Sequence, residues 1–406
     1  MTTNFVYPLW ERSTRANTHV IYAQIRREDP VHRAIGPSSG NPIWFLTRYE
    51  DCTNFLKDQR FGKELWDALP REKTEKWGSP PPEDDPFAAV NYHLLELDPP
   101  DHTRLRALVH KAFTPRMVEN LRPRIQQIAD DLLGDIGPHG EIDLIERFAF
   151  PLPIIVIAEM LGIPPADRER FRDWTKTLLF GADVMQGQMA VMEFVGYMHD
   201  QIDQRIANPR DDLLTGLIQA EEDGNQLTRM ELLSMIFLLL VAGHETTVNL
   251  IGNGTLALMR HPDQMRKLQA NPELIRNAVE EMLRYDGPVE TTTLRWAFED
   301  VLMGDKVIEA GDMVLAALHA ANRDPAVFDD PDTFDITRDF THAKHIAFGN
   351  GIHYCLGAPL ARLEGTIAIN ALLKHAPGLE LNTELERLVW NKSMLLHGLE
   401  SLPVRF

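Results

Sequence analysis

The segment Phe348–Gly357 reads FGNGIHYCLG and contains three glycines, one histidine and one of the two cysteines of the chain. Glycine loses more backbone entropy on folding than any other residue, so this density of glycine indicates tight turns or a close approach to another group. A helical pattern, APLARLEG, follows directly. Although a lone cysteine is more often a small buried apolar residue, we interpret Cys355 as a side chain presented to a partner group.

The composition is that of a soluble globular protein, with 406 residues, 44% hydrophobic residues, 25% charged residues and a formal net charge of −19. The excess of acidic residues argues against a general nucleic-acid-binding protein. Two cysteines, Cys52 and Cys355, cannot build a disulfide framework. The N-terminal segment lacks the apolar core of a signal peptide, and the most apolar run, from Leu232, is shorter than the roughly 20 residues of a membrane span. We therefore expect a cytoplasmic protein that binds neither nucleic acid nor membrane.

Helical periodicity dominates from Pro100 to about Arg284, whereas short strand-like segments follow Pro288. Near the N-terminus, PVHRAIG and PIWFLTRY are joined by turn residues and predict a β-hairpin. The proline-rich, acidic segment 78–87 predicts a surface loop rather than a linker. We find no internal repeat. The sequence therefore predicts a single domain over residues 1–406 that is mainly α with a smaller β portion.

One predicted helix is longer than the others. Thr228 and Glu231 form a capping-box pattern ahead of an apolar run, and helical residues continue to about Arg260. About 32 residues at 1.5 Å each span roughly 48 Å, which is enough to cross a domain. The middle of the helix is apolar on all sides, so it must be buried.

The sequence AGHETT, residues 242–247, lies within this buried helix. A carboxylate and two hydroxyl groups are costly to bury without a purpose. The simplest explanation is a polar kink, in which Thr246 bonds back to the carbonyl group four residues earlier and water or neighbouring side chains satisfy the remainder. A zinc protease is excluded, because the H-E-x-x-H motif needs a histidine where Val248 stands.

Three motifs occur in order along the chain: AGHETT, the pair Glu281 and Arg284 in EEMLR, and the cysteine segment. The Glu–Arg pair alone says little, because such a pair is usually a surface ion pair worth roughly 0–1 kcal/mol. Together, at these separations, the motifs resemble the cytochrome P450 family of haem-thiolate monooxygenases. The resemblance extends over nearly the whole chain and is strongest to soluble bacterial members. The cysteine segment matches F-x-x-G-x-H-x-C-x-G at Phe348, Gly351, His353, Cys355 and Gly357.

The resemblance implies a cytochrome P450 fold with the long helix crossing the domain over haem b. Cys355 would be the axial thiolate of the iron, with backbone N–H groups directed at the sulfur, and an anionic sulfur favours cleavage of the O–O bond. Thr246 and Glu245 would be catalytic: the alcohol holds dioxygen and ordered water, and the acid connects to a proton supply. Ala242, one turn before Thr246, would line the haem. Glu281 and Arg284 would brace the core, with Arg338 as a third member.

The two haem propionates would need cations. The matching positions are His102 and Arg106, four apart on one helix face, Arg295 in the predicted strand TTTLRWAF, and His353 in the cysteine segment. Arginine suits carboxylates because its planar fork binds both oxygens. Without the cysteine segment, a solvated helix face would be the preferred explanation of His102 and Arg106.

The substrate pocket is expected to be apolar. Its predicted wall includes the loop 78–93, the region 170–195 with its three methionines, and the residues Leu238, Leu239, Val289, Thr292 and Leu395. Methionine adapts its shape readily, although core packing explains any one of these residues equally well. The sequence indicates a hydrophobic small molecule and does not choose among terpenoids, steroids, macrolides, fatty acids and aromatic compounds.

The implied reaction inserts one atom of O₂ into the substrate, by hydroxylation or epoxidation, and requires two electrons. The chain shows neither a dinucleotide-binding fingerprint nor a cysteine cluster for iron–sulfur. A separate ferredoxin or flavodoxin with an NAD(P)H-dependent reductase is therefore expected, docking near Arg104, Lys111, Arg116 and Lys344. Two alternatives stay open: a peroxide-driven peroxygenase, which would not need Glu245 and Thr246, and a non-catalytic haem-based ligand sensor.

Overall fold

The computed structural model describes residues 7–9, 11–36, 40–80, 82, 88–180, 184–222 and 224–406. It confirms the predicted class, a mainly α protein with a smaller β portion. The helices among these residues are α1 (Thr18–Glu28), α2 (Tyr49–Phe55), α3 (Leu65–Ala68), α4 (Arg71–Thr74), α5 (Ala88–Asn91), α6 (Asp101–Ala112), α7 (Pro115–Asn120), α8 (Arg122–Ile136), α9 (Pro151–Met160), α10 (Arg168–Phe180), α11 (Val184–Ala207), α12 (Leu213–Gln219), α13 (Arg229–Arg260), α14 (Pro262–Ala270), α15 (Ile275–Asp286), α16 (Leu318–Ala321) and α17 (Ala358–His375).

The strands are short. They are β1 (Val31–Ile35), β2 (Pro42–Leu46), β3 (Phe61–Gly62), β4 (Glu141–Asp143), β5 (Glu221–Glu222), β6 (Asn225–Gln226), β7 (Arg295–Ala297), β8 (Val301–Met303), β9 (Lys306–Ile308), β10 (Met313–Ala316), β11 (Glu380–Leu381) and β12 (Pro403–Arg405).

Helix α13 is the central element and has the predicted bounds. Thr228 caps its N-terminus: the Thr228 side chain accepts from the backbone N–H of Glu231, and the Glu231 carboxylate accepts from the backbone N–H of Thr228 at 2.8 Å. At the other end His261 is the C-cap, and Pro262 opens α14. These caps satisfy backbone groups that the helix itself leaves without partners, so both ends of the helix are determined locally.

Helices α15 and α17 pack closely against α13 because small residues lie at the crossings. A side chain at Gly254 of α13 would meet Met282 of α15 at 2.7 Å, and one at Gly365 of α17 would meet Leu250 of α13 at 2.9 Å. Most of α13 is buried, including the stretch from Thr247 to Leu258. The helix therefore forms the middle of the main core and brings α17, with the cysteine loop before it, alongside.

The largest sheet has the strand order β1-β2-β10-β7-β3. Strands β1 and β2 form the predicted antiparallel hairpin, with Val31 opposite Leu46, and β10 runs parallel to β2. Strand β7 is antiparallel to β10 and places Arg295 opposite Val314. The hairpin turn at 37–39 and most of the predicted loop 78–87 lie outside the described residues.

Among the described residues, α13 is the one helix whose length and apolar composition would suffice to cross a membrane. Of its most apolar 18-residue window, 67% is buried inside the protein. A buried core helix passes this test of length and composition for the same reason that a membrane-spanning helix does.

Candidate functional site

The cysteine loop is a tight turn that ends at the first residue of α17. The backbone N–H of Cys355 donates to the carbonyl oxygen of Phe348 at 2.9 Å. Burial raises the pKa of the Cys355 thiol, and the backbone N–H groups of Gly357 and Ala358 counteract this effect because they hydrogen-bond to the sulfur. These N–H groups stabilise negative charge on the sulfur, as a metal-binding thiolate requires.

The glycine at position 351 is required by its backbone and by its surroundings. Gly351 has φ of +73°, a region that L side chains rarely adopt. A Cβ atom there would also lie closer than 3.0 Å to the carbonyl oxygen of Leu56. The close approach of the loop is therefore to the segment after α2, a contact that the sequence alone did not indicate.

Helix α13 carries one accessible stripe within its buried length. Ala242 is exposed, and Leu238 and Thr246, four residues before and after it, are half-buried, as is Leu239. His244 and Glu245, on the other sides of the helix, are buried. Residues four apart lie on the same helix face, so Leu238, Ala242 and Thr246 form an accessible stripe on the face that was expected to adjoin a haem.

The hydroxyl groups of two consecutive threonines hydrogen-bond to the backbone of α13 at this point. Thr246 Oγ1 donates to the carbonyl oxygen of Ala242 at 2.7 Å, and Thr247 Oγ1 donates to that of Gly243 at 3.2 Å. Such back-bonding competes with the backbone ladder and often bends helices. The predicted bond from Thr246 to the carbonyl group four residues earlier is therefore confirmed.

The carboxyl group of Glu245, next to Thr246, is buried in the protein. Burial raises the pKa of Glu245 to about 7, although the side-chain amide of Asn249, one turn further on, lowers it. A carboxyl group with a pKa near the working pH both donates and accepts protons at small cost. His244, by contrast, has a structural role: its Nε2 lies 3.1 Å from the carbonyl oxygen of Phe150, and its ring packs edge-on against that of Phe150.

Two of the predicted propionate ligands lie side by side. The rings of His102, in α6, and His353, in the cysteine loop, have centroids 4.4 Å apart. Both ring nitrogens of His102 are buried and have no hydrogen-bond partner among the described residues. Burial, with the positive charges of Arg295 and Lys63 nearby, lowers the pKa of His353 to about 2. Buried polar groups are normally hydrogen-bonded, so the two unpartnered nitrogens of His102 fit a hydrogen-bonding group, such as a carboxylate, that the described residues do not supply.

The two predicted arginine ligands are engaged differently. Arg106 donates to the carbonyl oxygens of Ile352 and Tyr354 at 3.1 and 2.7 Å, so it braces the cysteine loop. Arg295 is buried, and its Nη1 lies 3.2 Å from the carbonyl oxygen of Leu56. Neither arginine makes an ion pair among the described residues. Their contacts with propionates stay predictions, and the bracing of the loop by Arg106 is an additional finding.

The donor set fits a haem. A cysteine with N–H groups at its sulfur, an accessible stripe on α13, and the buried cluster of Arg295 with the imidazoles of His102 and His353 are the ligand, the space, and the positive charge with hydrogen-bonding nitrogens that an iron porphyrin with two carboxylates requires. The residues that would hold it are therefore Cys355, His102, Arg295 and His353.

The predicted Glu–Arg pair is a buried network. Arg284 forms two hydrogen bonds with Glu281, of 2.7 and 2.8 Å, and both residues are fully buried. Arg338 Nε lies 3.1 Å from the same carboxylate, which confirms it as the third member. Arg284 also donates to the carbonyl oxygens of Asn322 and Pro331. The network connects α15 to the segment 322–338 and so stabilises the core, as expected for this pair.

The predicted pocket residues have mixed settings. Val289 forms an isolated β-bridge with Leu396. The Thr292 hydroxyl accepts from the backbone N–H of Ala316 at 3.1 Å. Leu395 is 37% exposed. These positions, like those of Leu238 and Leu239 on the stripe, are compatible with a pocket wall, which stays a prediction.

The three methionines of the region 170–195 do not line the core. Met185, Met189 and Met192 are between 56% and 70% exposed, whereas Phe194 and Met198 on the opposite side of α11 are buried. The helical period places the two sets about half a turn apart. The place of these methionines in the pocket wall stays a prediction, because exposure to solvent shows only that they lie outside the packed core.

Three buried polar residues were missed by the sequence analysis. Lys63 is buried near His353 and donates to Thr293 Oγ1 and to the carbonyl oxygen of Leu294, both at 2.7 Å. His93 is buried, and its Nδ1 has no partner. Glu364 lies on α17 against Thr247, and burial raises its pKa to about 8. Glu364 could have been predicted as a buried acid, because it lies on the apolar face of α17, the helix that follows Cys355. No local sequence pattern indicates that Lys63 is buried.

Comparisons with known proteins agree with this site. The family model described as Cytochrome P450 matches residues 161–376. The polyketide biosynthesis cytochrome P450 PksS of Bacillus subtilis (strain 168) is 46% identical over 395 residues, which cover 96% of this chain and 95% of that protein. Its solved structure has a TM-score of 0.91, 43% identity, and coverage of 98% of this chain and 99% of that chain.

Two further relatives carry names that state an activity. The cytochrome P450 monooxygenase PikC of Streptomyces venezuelae is 47% identical over 394 residues, with 96% of this chain and 91% of that protein covered. The mycinamicin IV hydroxylase/epoxidase of Micromonospora griseorubida is 41% identical over 389 residues, with 94% of each covered. The chain thus belongs to the cytochrome P450 family and is a monooxygenase that inserts oxygen from O₂ into small organic molecules.

Proposed function

We propose that this monooxygenase acts on a large, apolar, polyketide-derived molecule and receives its electrons from a separate carrier protein. The observation that carries the proposal is the accessible stripe of Leu238, Ala242 and Thr246 on a largely buried helix, because it combines apolar surface with one hydroxyl group. The names of the relatives PksS and mycinamicin IV hydroxylase/epoxidase support a polyketide-derived substrate.

A haem bound at Cys355 supplies the binding and two-electron activation of O₂. The role of the chain on the thiolate side is to hold negative charge at the sulfur, through the N–H groups of Gly357 and Ala358. On the other side, Leu238 and Ala242 exclude water from the apolar part of the pocket, which strengthens the electrostatic interactions of the few polar groups there.

Glu245 and Thr246 are proposed to deliver protons. The Thr246 hydroxyl donates its hydrogen atom to the Ala242 carbonyl oxygen, so its oxygen remains able to accept a hydrogen bond from water. Glu245, with a pKa of about 7, releases a proton and is recharged from solvent at small cost near neutral pH. The alcohol positions the water and the acid supplies the proton.

The cofactor is proposed to be haem b, held without a covalent bond. The chain contains no C-x-x-C-H motif for covalent attachment. Extraction with acidified organic solvent should remove the pigment and leave colourless protein. Pigment that stays with the protein would contradict this assignment. We further propose that residues 1–406 act as a single haem domain in the cytoplasm.

A separate ferredoxin or flavodoxin, reduced by an NAD(P)H-dependent reductase, is proposed as the electron donor. Of the four basic residues predicted at its docking face, Arg104 forms an ion pair with Glu231, and Lys111 forms one with Glu222 at 2.5 Å. Reversing the charge of Arg104 would therefore also disturb the capping box of α13. Arg116 and Lys344 are exposed, so the double variant Arg116→Glu/Lys344→Glu is the cleaner test. The electron-transfer rate and its salt dependence should both fall, and unchanged values would reject this face.

The test of the function has two stages. Reduced protein under carbon monoxide should show the red-shifted Soret band of a thiolate ligand, and Cys355→His should abolish it. Purified enzyme with surrogate ferredoxin, reductase and NADPH should then oxygenate a macrolide aglycone, with fatty acids and steroids as comparison substrates. Product from hydrogen peroxide alone at an equal rate would favour a peroxygenase, and absence of product from every substrate and electron source would favour a sensor. A better steroid or fatty-acid substrate would reject the substrate class alone.

A further inference from the structure

A second cluster of metal-ligating side chains lies outside the haem site. Asp286 is the last residue of α15, His319 lies in α16, and His397 lies in the C-terminal segment. A carboxylate oxygen of Asp286 and one ring nitrogen of each histidine all lie within 4.8 Å of one another. Three separate segments thus converge on one point with the donor types that Zn²⁺ prefers.

The orientation of both imidazole rings is set by neighbouring groups. His319 Nε2 lies 2.8 Å from the carbonyl oxygen of Gly287, so this nitrogen carries the hydrogen and Nδ1 keeps its lone pair. The ring of His397 stacks on that of Trp390, with centroids 4.2 Å apart and an interplanar angle of 22°. Metal-binding histidines are commonly held in this way through their second nitrogen and ring face.

The two nitrogens of His397 face two carboxylates. Nε2 lies 3.1 Å from Asp286 Oδ1, whereas Nδ1 is buried, has no hydrogen-bond partner and lies 3.9 Å from Glu290 Oε2. With a metal ion on Nε2, Nδ1 must carry the hydrogen and points toward Glu290. A carboxylate behind the second nitrogen of a metal-binding histidine is a recurrent arrangement that raises the basicity of the ligand.

A simple ion pair between Asp286 and His397 accounts for only part of this arrangement. It leaves His397 Nδ1 buried and unsatisfied, and it gives no reason for His319 to converge on the same point. Glu290 does not require His397 for charge balance, because Arg15 pairs with it at 2.5 Å and the Tyr22 hydroxyl donates to it at 2.7 Å. By contrast, two ligands bonded at 2.0–2.1 Å to a tetrahedral zinc ion lie about 3.3 Å apart, which is close to the Asp286–His397 separation.

Charge and access are compatible with a cation. The neighbouring Arg323 is already paired with Asp332 at 3.0 Å and donates to the carbonyl oxygen of Tyr285. The side chains of His319 and His397 are buried, whereas that of Asp286 is 21% exposed. The carboxylate therefore offers an entry path from solvent, and a water molecule can occupy the fourth position.

We propose that Asp286, His319 and His397 form a three-ligand site for Zn²⁺, with water as the fourth ligand. The bound ion joins the end of α15, helix α16 and the C-terminal segment. The hydrogen bond from the Glu290 backbone N–H to the Leu395 carbonyl oxygen lies next to the site at 2.9 Å, so the ion also stabilises the junction between residues 288–292 and 394–397.

The site is tested with tag-free, haem-loaded protein that has been stripped with chelator, equilibrated with zinc chloride and desalted. Elemental analysis then gives zinc relative to haem iron, and equilibrium dialysis gives the affinity. The wild type should retain about one zinc ion per iron, and His397→Gln and His319→Gln should each weaken binding by about tenfold or more. His375→Gln is the matched control, because His375 contacts the carbonyl oxygen of Gly137 on another part of the surface.

Zinc should also raise the melting temperature of the wild type and of His375→Gln, but not that of His397→Gln, since a ligand that binds only the folded state stabilises it. The carbon monoxide spectrum verifies that each variant is folded, and His319→Gln serves if His397→Gln loses its haem. The proposal is overturned if the wild type retains no zinc, or if the two histidine variants retain as much as the wild type.

Discussion

Thr246 donates a hydrogen bond to the carbonyl oxygen of Ala242 at 2.7 Å, and both residues lie on the accessible stripe of α13. The single hydroxyl hydrogen is therefore committed to the backbone, and the hydroxyl oxygen faces the pocket as an acceptor. This hydrogen bond gives a reason for a threonine, which is a weak helix former, at position 246 in the middle of the central helix. It also makes the hydroxyl oxygen of Thr246 the group to test first.

Replacing Thr246 with alanine should divert electrons from product to peroxide. Without the hydroxyl oxygen, water at the reacting centre loses its positioning group, so product formed per NAD(P)H should fall by about tenfold or more. Peroxide and product are measured against NAD(P)H consumed. Thr246→Ser should restore coupling. Thr247→Val is the matched control because its hydroxyl lies on the buried side, and unchanged coupling in Thr246→Ala would contradict the role.

Glu245→Gln should lower the rate of product formation and remove its dependence on pH near neutrality. With a pKa of about 7, Glu245 loses its proton as the pH rises through this value, so the wild-type rate should decline above pH 7. The glutamine cannot supply a proton, and a decrease of about 100-fold is expected. The check is kcat from pH 6 to 8.5 at constant haem content. A wild-type profile without an inflection, or a variant that keeps it, would argue against this acid.

The same residue should make stability depend on pH. The pKa of Glu245 is raised in the folded protein from its ordinary value of 4.5 to about 7, so its contribution to stability is fully present below pH 4.5. It is lost as the pH rises through 7, because folding then holds an ionised carboxylate in the interior. The difference amounts to about 3 kcal/mol at 1.36 kcal/mol per pKa unit. Melting temperatures of the wild type and Glu245→Gln should therefore diverge between pH 5 and 8, and parallel curves would refute the shift.

Gly351→Ala should disrupt the cysteine loop far more than Gly349→Ala. Both glycines have positive φ, +73° and +72°, so alanine costs about 1–2 kcal/mol at either position. At 351 the added methyl group also collides with the Leu56 carbonyl oxygen, whereas at 349 the nearest atom outside its chain neighbours is 3.9 Å away. Haem content and the carbon monoxide spectrum measure the damage. Equal effects of the two variants would show that the contact with Leu56 is unimportant.

Arg284→Met should destabilise the protein much more than Arg122→Met. Both arginines pair with a glutamate three residues earlier. Glu281 and Arg284 are fully buried, whereas the side chains of Glu119 and Arg122 are 62% and 37% exposed. Removing one partner of a buried pair leaves an uncompensated charge and costs about 3–5 kcal/mol, against about 0–1 kcal/mol at the surface. Unfolding in denaturant gives both values, and similar losses would contradict the bracing role.

The elements that could be predicted from the sequence are those decided by neighbours along the chain. The ends of α13 follow from the capping box of Thr228 and Glu231 and from Pro262. The hydrogen bond from Thr246 to the carbonyl group four residues earlier is equally local. These interactions join residues within one helical turn, so the sequence order alone specifies them. Arg338, the third member of the network with Glu281 and Arg284, was also predicted correctly, because the resemblance to the family indicated it.

Much of the site depends on contacts between distant segments. Arg106 braces the carbonyl groups of Ile352 and Tyr354, about 246 residues away, a contact that the sequence did not indicate. The methionines of α11 lie on its exposed side because Phe194 and Met198, on the opposite side, pack into the core. Periodicity indicates that a helix has two sides, but only packing decides which side faces a cavity.

By itself, the sequence determined the fold class and the length of the central helix, and it indicated the sulfur ligand expected for the haem, because these follow from helical periodicity, local capping and a motif of ten consecutive residues. Only the tertiary structure decided that His102 lies against His353, that Lys63 is buried beside them, and that Asp286, His319 and His397 meet. The physical reason is that burial and charge are properties of the assembled core. Burial and local charge are established only when segments far apart in the chain pack together and exclude water from their side chains.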